Sequence, residues 1–492
     1  MALVVAAGVL LRVMWLDRLT GINGDEAWYG ALAQRWAAGD LTLWRTPSGN
    51  FPGPLQPTMV MLGQFILPGE FLVLRIPTVL SSLIAMALAW RIGKQHFDVA
   101  SGRLALLVMA VIPANIAYAR FGWDPSHSGM MILVGVSLAL ARRLTLTSLT
   151  FALALWTHPT NVFAAPFLLL IFAAAERLSG DLRLLAPRVA VLTLLMSLFT
   201  LAMMTTASQA GKFVEPEAIL GRLASPDELL TFVLLLGRLM AGEPWFIALA
   251  GSGYGVLMPL IDTIGLAAIA GMLWFTVRTV SRGGLSLSGG VMLGWLATVL
   301  SYALVAGHSP LNAPTERYAF VLIAPTALAL ALTLRAVVAS AVGTWREAVL
   351  ITATGAAFLV ATIALYLVPL ATRDLRMHVA FRTGPVEPKQ AAARWIGADA
   401  RRRGPALVVA ENWWLYWPLA YRLAGQGTTM IDVQAQPHAA ARAVGGRRLD
   451  VVFAGSRSDA QLRARGTARL AWTSRGSDGR AIVRVWESGI KS

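Results

Sequence analysis

The stretch that decides the fold is residues 71–91, which read FLVLRIPTVLSSLIAMALAWR. At about 1.5 Å per residue, a helix of this length spans the roughly 30 Å hydrocarbon core of a bilayer. Ten further apolar segments flank it: 2–19, 103–118, 128–141, 146–157, 162–176, 188–207, 257–277, 288–306, 318–337 and 347–370. The sequence therefore predicts a polytopic α-helical membrane protein with about 11 transmembrane helices. Segments 128–141 and 146–157 are too short to cross alone, so we expect protein or a cavity around them.

The composition also places the chain in a membrane. Hydrophobic residues make up 56% of the 492 positions and charged residues only 14%, whereas a soluble domain needs roughly 25% charged residues. The formal charge is +16, but the arginines are concentrated after Leu370 and in short loops, without interleaved aromatics. We therefore expect anionic lipid head groups, and no nucleic acid, as the counter-charge. The absence of cysteine excludes disulfides and thiolate metal sites.

Lysine and arginine in the short loops indicate the orientation. With a cytoplasmic N-terminus every inner loop is basic, as the positive-inside rule requires. The outer loops are then 20–70, 119–127, 158–161, 208–256 and 307–317. The first apolar run has no basic region before it and no small-residue cleavage site after it. We therefore expect an anchor helix of a bacterial inner-membrane protein rather than a removable signal peptide.

After residue 370 the pattern changes to short β-rich runs that alternate with helices. Strands are predicted at 407–410, 430–433, 451–454 and 482–486, and helices at 389–402 and 412–424. The sequence thus predicts a transmembrane domain, 1–370, followed by a small extracytoplasmic α/β domain, 371–492.

Polar outliers gather on one predicted face of the protein. They are Asp25, Glu26, Arg75, Arg120, Asp124, His127, His158, His308, Glu316 and Arg317. Structural polar residues scattered at random would fall on both faces and at the midplane. Carboxylates beside a bilayer are costly unless they face water or a partner, so the clustering predicts a functional site at the outer face.

The pair Asp25-Glu26 opens a segment in which Trp28, Leu32 and Trp36 share one stripe at helical spacing. This pattern predicts a helix lying flat at the membrane interface. Two roles are open for the pair. Asn23 and Glu26 fit a capping box at a helix start, and Asp25 fits first-turn charge compensation. Alternatively, Asp25 acts as a general base.

The loop after the third span offers similar alternatives. Asp124 precedes Pro125 and either caps the following helix or has a functional role. Arg120 either snorkels from the end of its span or pairs with Asp124. For His158, after the short fifth span, a structural role and a ligand-binding role are equally open. No His-x-x-x-His or similar spacing specifies a metal site, so a divalent metal is left open.

Arg317 stands at the start of the tenth span. It either anchors the interface beside Tyr318 or contacts a phosphate, for which the planar guanidinium fork is well suited. We favour the phosphate contact, because a lone anchor would not explain the nearby Glu316 and His308.

Together these motifs resemble those of the GT-C membrane glycosyltransferases. The shared motifs are an Asp-Glu before an interfacial helix, an Asp in the loop after the third span, a Thr-His turn after a short fifth span, and a Glu-Arg-Tyr opening a late span. Within that superfamily the chain is most similar to the protein O-mannosyltransferase and aminoarabinose-transferase branch. The resemblance covers residues 1–370. It departs at His158, where many relatives have Lys.

The resemblance implies an enzyme that takes a sugar from a polyprenyl-phosphate carrier and transfers it to a glycan, lipid or protein acceptor of the cell envelope. Asp25 matches the catalytic carboxylate, Asp124 the second-loop acid, and Arg317 the late basic residue near the lipid phosphate. Nucleotide sugars are not available outside the cytoplasm, so an outward-facing transferase needs a membrane-borne donor. We expect direct displacement with inversion, in which Asp25 takes the acceptor proton.

The other candidates receive supporting roles in this scheme. Arg120 and His308 are expected to be further contacts of the donor phosphate. Glu26, His158 and Glu316 are expected to contact substrate. The scheme requires no cofactor, and neither the sugar nor the acceptor follows from the sequence.

Two other classes compete with a transferase. Transporters or flippases of lipid-linked sugars tend to have repeated halves and polar sites at the midplane, whereas this sequence shows no repeat and a one-sided polar cluster. A noncatalytic envelope-assembly protein would depend on residues 380–492 and would tolerate loss of Asp25.

Overall fold

The computed structural model describes residues 1–19, 21–41, 53–180, 182–206, 219, 221–222, 225–243, 258–283, 285–308, 311, 315–341, 344–372, 388–433, 447–476 and 479–489. These residues fall into two compact units. The first unit comprises Met1–Met14, Leu43–Gln56 and Thr78–Leu365, and the second comprises Trp15–Thr42, Pro57–Pro77 and Tyr366–Ser492. The C-terminal region thus forms one unit with the segment that carries Asp25.

The helices that precede the C-terminal region are numbered in chain order. They are α1 (Ala2–Val13), α2 (Gly24–Ala37), α3 (Leu55–Gln64), α4 (Leu72–His96), α5 (Val99–Val111), α6 (Pro113–Ala119), α7 (Ser128–Leu140), α8 (Leu144–Thr157), α9 (Ala165–Leu178), α10 (Leu182–Thr206), α11 (Pro226–Ala241), α12 (Met258–Gly283), α13 (Leu287–Ala306), α14 (Ile323–Ala341), α15 (Thr344–Thr362) and α16 (Val368–Thr372). Among the described residues, three 3₁₀ turns lie between them: the Asp124 turn (Asp124–His127), the Pro159 turn (Pro159–Ala164) and the Glu316 turn (Glu316–Leu322). A π-helical turn, Ile363–Leu367, joins α15 to α16.

Within the described part of the chain, seven helical segments are long and apolar enough to cross a membrane. They are Leu72–His96, Pro159–Leu178, Arg183–Met204, Asp262–Arg282, Leu287–Ala306, Glu316–Val338 and Val349–Thr372. The pair α5 and α6, bent by 61°, makes an eighth if it is counted as one span. The bend falls at Pro113, whose nitrogen has no proton to donate to the preceding turn.

These helices confirm a polytopic helical fold, because each predicted apolar segment contains a helix. The expected number of about 11 crossings is not confirmed. Helix α1 ends at Val13 rather than near residue 19, because Met14 is extended and Trp15 adopts a φ of +49°. Helices α7 and α8 are as short as the sequence predicts.

Arg12 shows how this fold accommodates a charge inside an apolar helix. Its side chain is fully buried and its Nε donates to Ser82 Oγ at 2.9 Å. Its terminal nitrogens donate to the carbonyl oxygens of Gly8, Ala110 and Met109 at 2.6–3.0 Å. All three guanidinium nitrogens donate to protein groups, which offsets the cost of burying the charge.

The C-terminal region forms a five-stranded mixed sheet flanked by helices. Its elements are α17 (Pro388–Arg403), β1 (Ala406–Ala410), α18 (Trp413–Leu423), β2 (Thr428–Asp432), β3 (Arg447–Phe453), α19 (Arg457–Ala464), β4 (Ala468–Arg475) and β5 (Ala481–Gly489). The strand order is β2-β1-β3-β5-β4. The pairs β1–β2 and β1–β3 are parallel, and β5 is antiparallel to both β3 and β4. The four predicted strands and two predicted helices are present, while β4 and α19 are additional.

The apolar stripe of α2 is covered by protein. Trp28 and Leu32 are buried, and the Trp28 ring meets Trp417 of α18 edge-on with centroids 6.5 Å apart. The stripe therefore does not face lipid, and the expectation that α2 lies flat at the membrane interface stays a prediction. The stripe belongs to the core of the second unit, and α18 supplies the surface that buries it.

Candidate functional site

In the first unit, three 3₁₀ turns that open or link apolar helices pack together. The Glu316 turn contacts both the Asp124 turn and the Pro159 turn. Each turn begins at a proline or a polar residue that interrupts an apolar run, so polar side chains collect where the helices end. This packing brings the loops of Asp124, His158 and Arg317 into one neighbourhood, as the sequence predicts for these three.

Arg317 is held against aromatic rings at this junction. Its guanidinium carbon lies 5.2 Å from the centroid of Trp123 and 5.0 Å from that of Tyr318. Its Nη2 also donates to the Tyr318 hydroxyl at 3.2 Å. Cations over aromatic faces are attracted by the ring quadrupole. The half-buried guanidinium is thus fixed by flat apolar surfaces while its charge is retained.

Glu316 is buried beside this cation. Tyr118 donates its hydroxyl proton to Glu316 Oε1 at 3.2 Å, and Tyr118 packs on Phe320 with ring centroids 4.8 Å apart. Glu316 Oε2 is also buried and has no hydrogen-bond partner among the described residues. A buried acceptor without a partner is rare in native proteins and calls for an explanation, such as a bound hydroxyl group.

His158 faces the same cluster. Its ring stacks on Tyr318 with centroids 5.8 Å apart, and its Nδ1 accepts from the Thr160 backbone N–H at 3.3 Å and lies 2.7 Å from the Thr160 hydroxyl. Burial, together with the nearby Arg317 charge, lowers the pKa of His158 to about 3. The imidazole is therefore neutral at physiological pH, and its acceptor contacts on Nδ1 place the proton on Nε2.

Asp124 is half-buried at the first position of its turn. The residue that precedes the turn, Trp123, occupies the N-cap position, so Asp124 is not the N-cap that the sequence allows as one alternative. His127 closes the turn and is fully buried between Ser81 Oγ at 2.7 Å and Gln56 Oε1 at 2.8 Å. Burial lowers the pKa of His127 to about 3. A neutral His127 anchors the turn that presents Asp124.

Two predicted phosphate ligands have other contacts. Arg120 is fully buried and its Nη1 donates to the Leu11 carbonyl at 2.7 Å. His308 Nδ1 lies 2.7 Å from Glu228 Oε2, at a pocket of about 380 Å³ that Arg222 also lines. These contacts place Arg120 against α1 and His308 beside α11. Their expected contact with a donor phosphate stays a prediction.

In the second unit, Asp25 lies in the first turn of α2. The Asn23 side chain accepts the Asp25 backbone N–H at 2.7 Å, and the capping box with Glu26 is present, which confirms the predicted helix start. The indole Nε1 of Trp413 donates to Asp25 Oδ1 at 3.2 Å. Asp25 is half-buried, so it combines a fixed carboxylate with access for a substrate.

Glu26, the next residue of α2, is fully buried. Both its oxygens face the guanidinium of Arg75, with Nη2–Oε1 at 2.7 Å and Nε–Oε2 at 3.2 Å, and Oε1 also accepts the Asn23 backbone N–H. Arg75 donates further to the carbonyl oxygens of Leu16, Leu19 and Gly21. Glu26 and Arg75 therefore act as a buried clamp that fixes the chain leading into α2.

Four residues of these neighbourhoods are not among the site residues predicted from the sequence: Trp123, Tyr318, Tyr118 and Trp413. Trp123 and Tyr318 lie within the motifs around Asp124 and Glu316, where aromatic residues next to charges are a usable signal, and Tyr118 ends the predicted span 103–118. Trp413 is 388 positions from Asp25, and no local pattern connects the two. Among the described residues, no group of three or more His, Asp or Glu side chains could hold a metal ion, so we derive no step through a metal.

Solved structures of other proteins share the fold of this chain. Neither a protein-family profile nor a curated protein matches the sequence. ArnT from Cupriavidus metallidurans bound to undecaprenyl phosphate is similar in structure, with a TM-score of 0.53 and 13% identity over 98% of this chain and 97% of that chain. The archaeal oligosaccharyltransferase AglB from Archaeoglobus fulgidus, in complex with an inhibitory peptide and a dolichol-phosphate, gives 0.52 and 16% over 87% of this chain.

The chain spans only 64% of the length of AglB but nearly all of ArnT. The similarity to ArnT therefore includes both the apolar helices and the C-terminal sheet. It confirms the fold that the sequence motifs imply. This multi-pass membrane protein has a fold similar to that of ArnT from Cupriavidus metallidurans.

Proposed function

We propose that the protein is an integral membrane glycosyltransferase that moves a sugar from a polyprenyl-phosphate carrier to an envelope glycan, lipid or protein. One observation carries the proposal: in a GT-C fold, Arg317 is held on two aromatic rings at the junction that also bears Asp124 and His158. ArnT with undecaprenyl phosphate and AglB with dolichol-phosphate share that fold.

The donor phosphate is the first element of the proposal. A guanidinium presents paired N–H donors that match phosphate oxygens, and charge-assisted bonds of this kind are roughly twice as strong as neutral ones. Arg317 keeps its charge on an aromatic support, and neutral His158 offers an Nε2–H donor without repelling it. We assign Arg317 to the leaving phosphate and His158 to one of its oxygens.

The sugar is the second element. Sugar hydroxyls need acceptors, and the buried Glu316 Oε2 is an acceptor without a partner among the described residues. Asp124 is half-buried on the neighbouring turn. We assign both carboxylates to sugar or acceptor hydroxyl groups. Glu26, by contrast, has its oxygens engaged by Arg75 and Asn23, so we give it a positioning role instead of the substrate contact expected from the sequence.

The chemical step is a displacement at the anomeric carbon. The acceptor oxygen forms a bond to that carbon as the bond from the carbon to the phosphate oxygen breaks, which inverts the configuration. Asp25 accepts the proton of the acceptor hydroxyl, and the electron pair of the broken bond leaves with polyprenyl phosphate, whose charge Arg317 stabilises. A positioned base of this kind contributes typically about 10²–10⁴ in rate.

We place the reaction on the extracytoplasmic face of a bacterial inner membrane. The basic loops at the opposite ends of the helices support this orientation through the positive-inside rule. A donor embedded in the bilayer then meets Arg317 at the start of its span, where a phosphate can stay hydrated while the polyprenyl tail lies among apolar helices.

The test uses purified full-length protein in nanodiscs with a polyprenyl-phosphate-linked sugar and extracted envelope acceptors. We expect Asp25→Asn to abolish transfer while donor binding is retained. Asp227→Asn is the matched control, because Asp227 is an exposed first-turn acid of α11. Intact transfer in Asp25→Asn removes Asp25 from the mechanism. Movement of the lipid-linked sugar between leaflets without transfer by the wild type identifies a flippase and refutes the proposal.

A further inference from the structure

Trp413 connects the C-terminal sheet to the segment that carries Asp25. It is the first residue of α18, which follows β1 after Glu411 and Asn412. The Asn412 side chain caps this helix by accepting the backbone N–H groups of Trp414 and Leu415 at 3.1 and 3.3 Å. The start of α18, and with it the position of the Trp413 side chain, is therefore set by the strand and by the cap.

The contact between Trp413 and α2 is close and specific. The indole Nε1 donates to Asp25 Oδ1 at 3.2 Å. A Cβ atom added to Gly24 would lie 2.6 Å from Trp413 Cδ1 and 2.7 Å from Nε1. Only glycine leaves room for the indole to lie along the first turn of α2 and reach the carboxylate.

Further contacts hold the C-terminal region to this segment. Lys389 Nζ donates to the Ile22 carbonyl at 2.5 Å, just before the Asn23 cap of α2. Gln34, on the third turn of α2, donates to the Tyr421 carbonyl at 3.1 Å, and the Tyr421 hydroxyl donates to the Glu70 carbonyl at 3.1 Å. Contacts at both ends of α18 fix the indole, as pre-organised sites require.

We propose that Trp413 is a positioning residue for Asp25, and that the C-terminal region is thereby part of the catalytic centre. The inference rests on the proposed function. An indole N–H can donate but cannot accept, so it holds a carboxylate oxygen in one place and favours the ionised form.

Charged groups around the start of α2 make contacts of their own. Glu26 and Arg75 form a buried pair with each other. The ammonium group of Lys389 is directed to a backbone carbonyl, and Arg35 pairs with Asp40 at the far end of the helix. The Trp413 indole donates directly to the Asp25 carboxylate.

The first experiment compares Trp413→Phe with Trp414→Phe, a neighbouring tryptophan of the same helix. Loss of a hydrogen bond to a charged group predicts a roughly 10-fold lower kcat for Trp413→Phe. We expect an unchanged KM for the lipid donor and an acid limb of the rate profile shifted upward by about half a pH unit or more. Trp414→Phe should stay near wild type, and Gly24→Ala should reproduce Trp413→Phe because it displaces the indole.

Wild-type kcat and acid limb in Trp413→Phe, or equal losses in Trp414→Phe, would overturn the proposal. A second measurement is independent of sugar transfer. In protein labelled with 5-fluorotryptophan, the Trp413 fluorine resonance, assigned through Trp413→Phe, should shift on Asp25→Asn substitution. An unchanged resonance overturns the contact. A shifted resonance in a protein without transferase activity refutes the proposed function and leaves the contact standing.

Discussion

Substitution of Arg317 tests the donor-phosphate assignment most directly. Arg317→Ala removes a charge that rests on Trp123 and Tyr318 and would face the leaving phosphate. A hydrogen bond to a charged group contributes about 1.5–3 kcal/mol, and each 1.4 kcal/mol is a factor of ten. We therefore expect kcat/KM for the lipid-linked donor to fall by roughly 10- to 150-fold.

Arg317→Lys separates charge from shape. Lysine keeps the charge but loses the planar fork and the flat contact with both rings, so we expect an intermediate loss. The matched control is Arg278→Ala, because Arg278 also lies over a ring, 5.1 Å from the centroid of Trp274, but has no assigned role. Steady-state transfer and polyprenyl-phosphate binding in nanodiscs measure the effects. Equal kinetics for Arg317→Ala and Arg278→Ala would refute the phosphate assignment.

Three further predictions concern stability. Glu26→Ala should lower the free energy of unfolding by roughly 3–5 kcal/mol, since it leaves the buried Arg75 charge unpaired; denaturation in detergent measures this, and Glu26→Leu combined with Arg75→Met should recover part of the loss. Burial and a nearby guanidinium lower the pKa of His158 to about 3, below its unfolded value of 6.5. The stability that neutral His158 contributes to the folded protein is therefore complete above pH 6.5 and is lost as the pH falls towards 3. Between pH 7.5 and 4.5, the free energy of unfolding should fall by roughly 2–3 kcal/mol less in His158→Gln than in the wild type. Equal losses in the two proteins would contradict a buried, neutral His158. Gly237→Leu should destabilise the protein by roughly 1–3 kcal/mol, because a Cβ there would lie 3.0 Å from Gly265 Cα and force α11 and α12 apart; an unchanged melting temperature counts against this packing.

The fold could be predicted from the sequence where one element determines its own structure. The apolar runs, the short α7 and α8, and the Asn23–Glu26 capping box depend on local composition and spacing. Strand β4 has a weak sequence signal because it lies at the edge of the sheet, where most of its side chains are partly exposed and give no clear alternation. Helix α19 is short, although Ser456 and Asp459 form a recognisable helix start.

In the candidate site, too, some features depend on the local sequence and others on tertiary packing. Asp124, His158 and Arg317 could be associated because each lies at the end of an apolar run predicted to face the same side. The contacts of His308 with Glu228 and of Trp413 with Asp25 could not, since each joins residues that are far apart in the chain. Tertiary packing decides such pairs, and a single sequence contains no spacing rule for them.

The burial of α2 by α18 has a consequence for biosynthesis. Gln34 and its partner Tyr421 are separated by 387 positions. At about 5–20 residues per second, the ribosome needs roughly 20 to 80 seconds to make the second after the first. During that interval α18 has not been synthesised, so lipid or a chaperone must shield Trp28 and Leu32 from water. Chains that stop short of residue 413 lack α18 and leave this stripe without that cover.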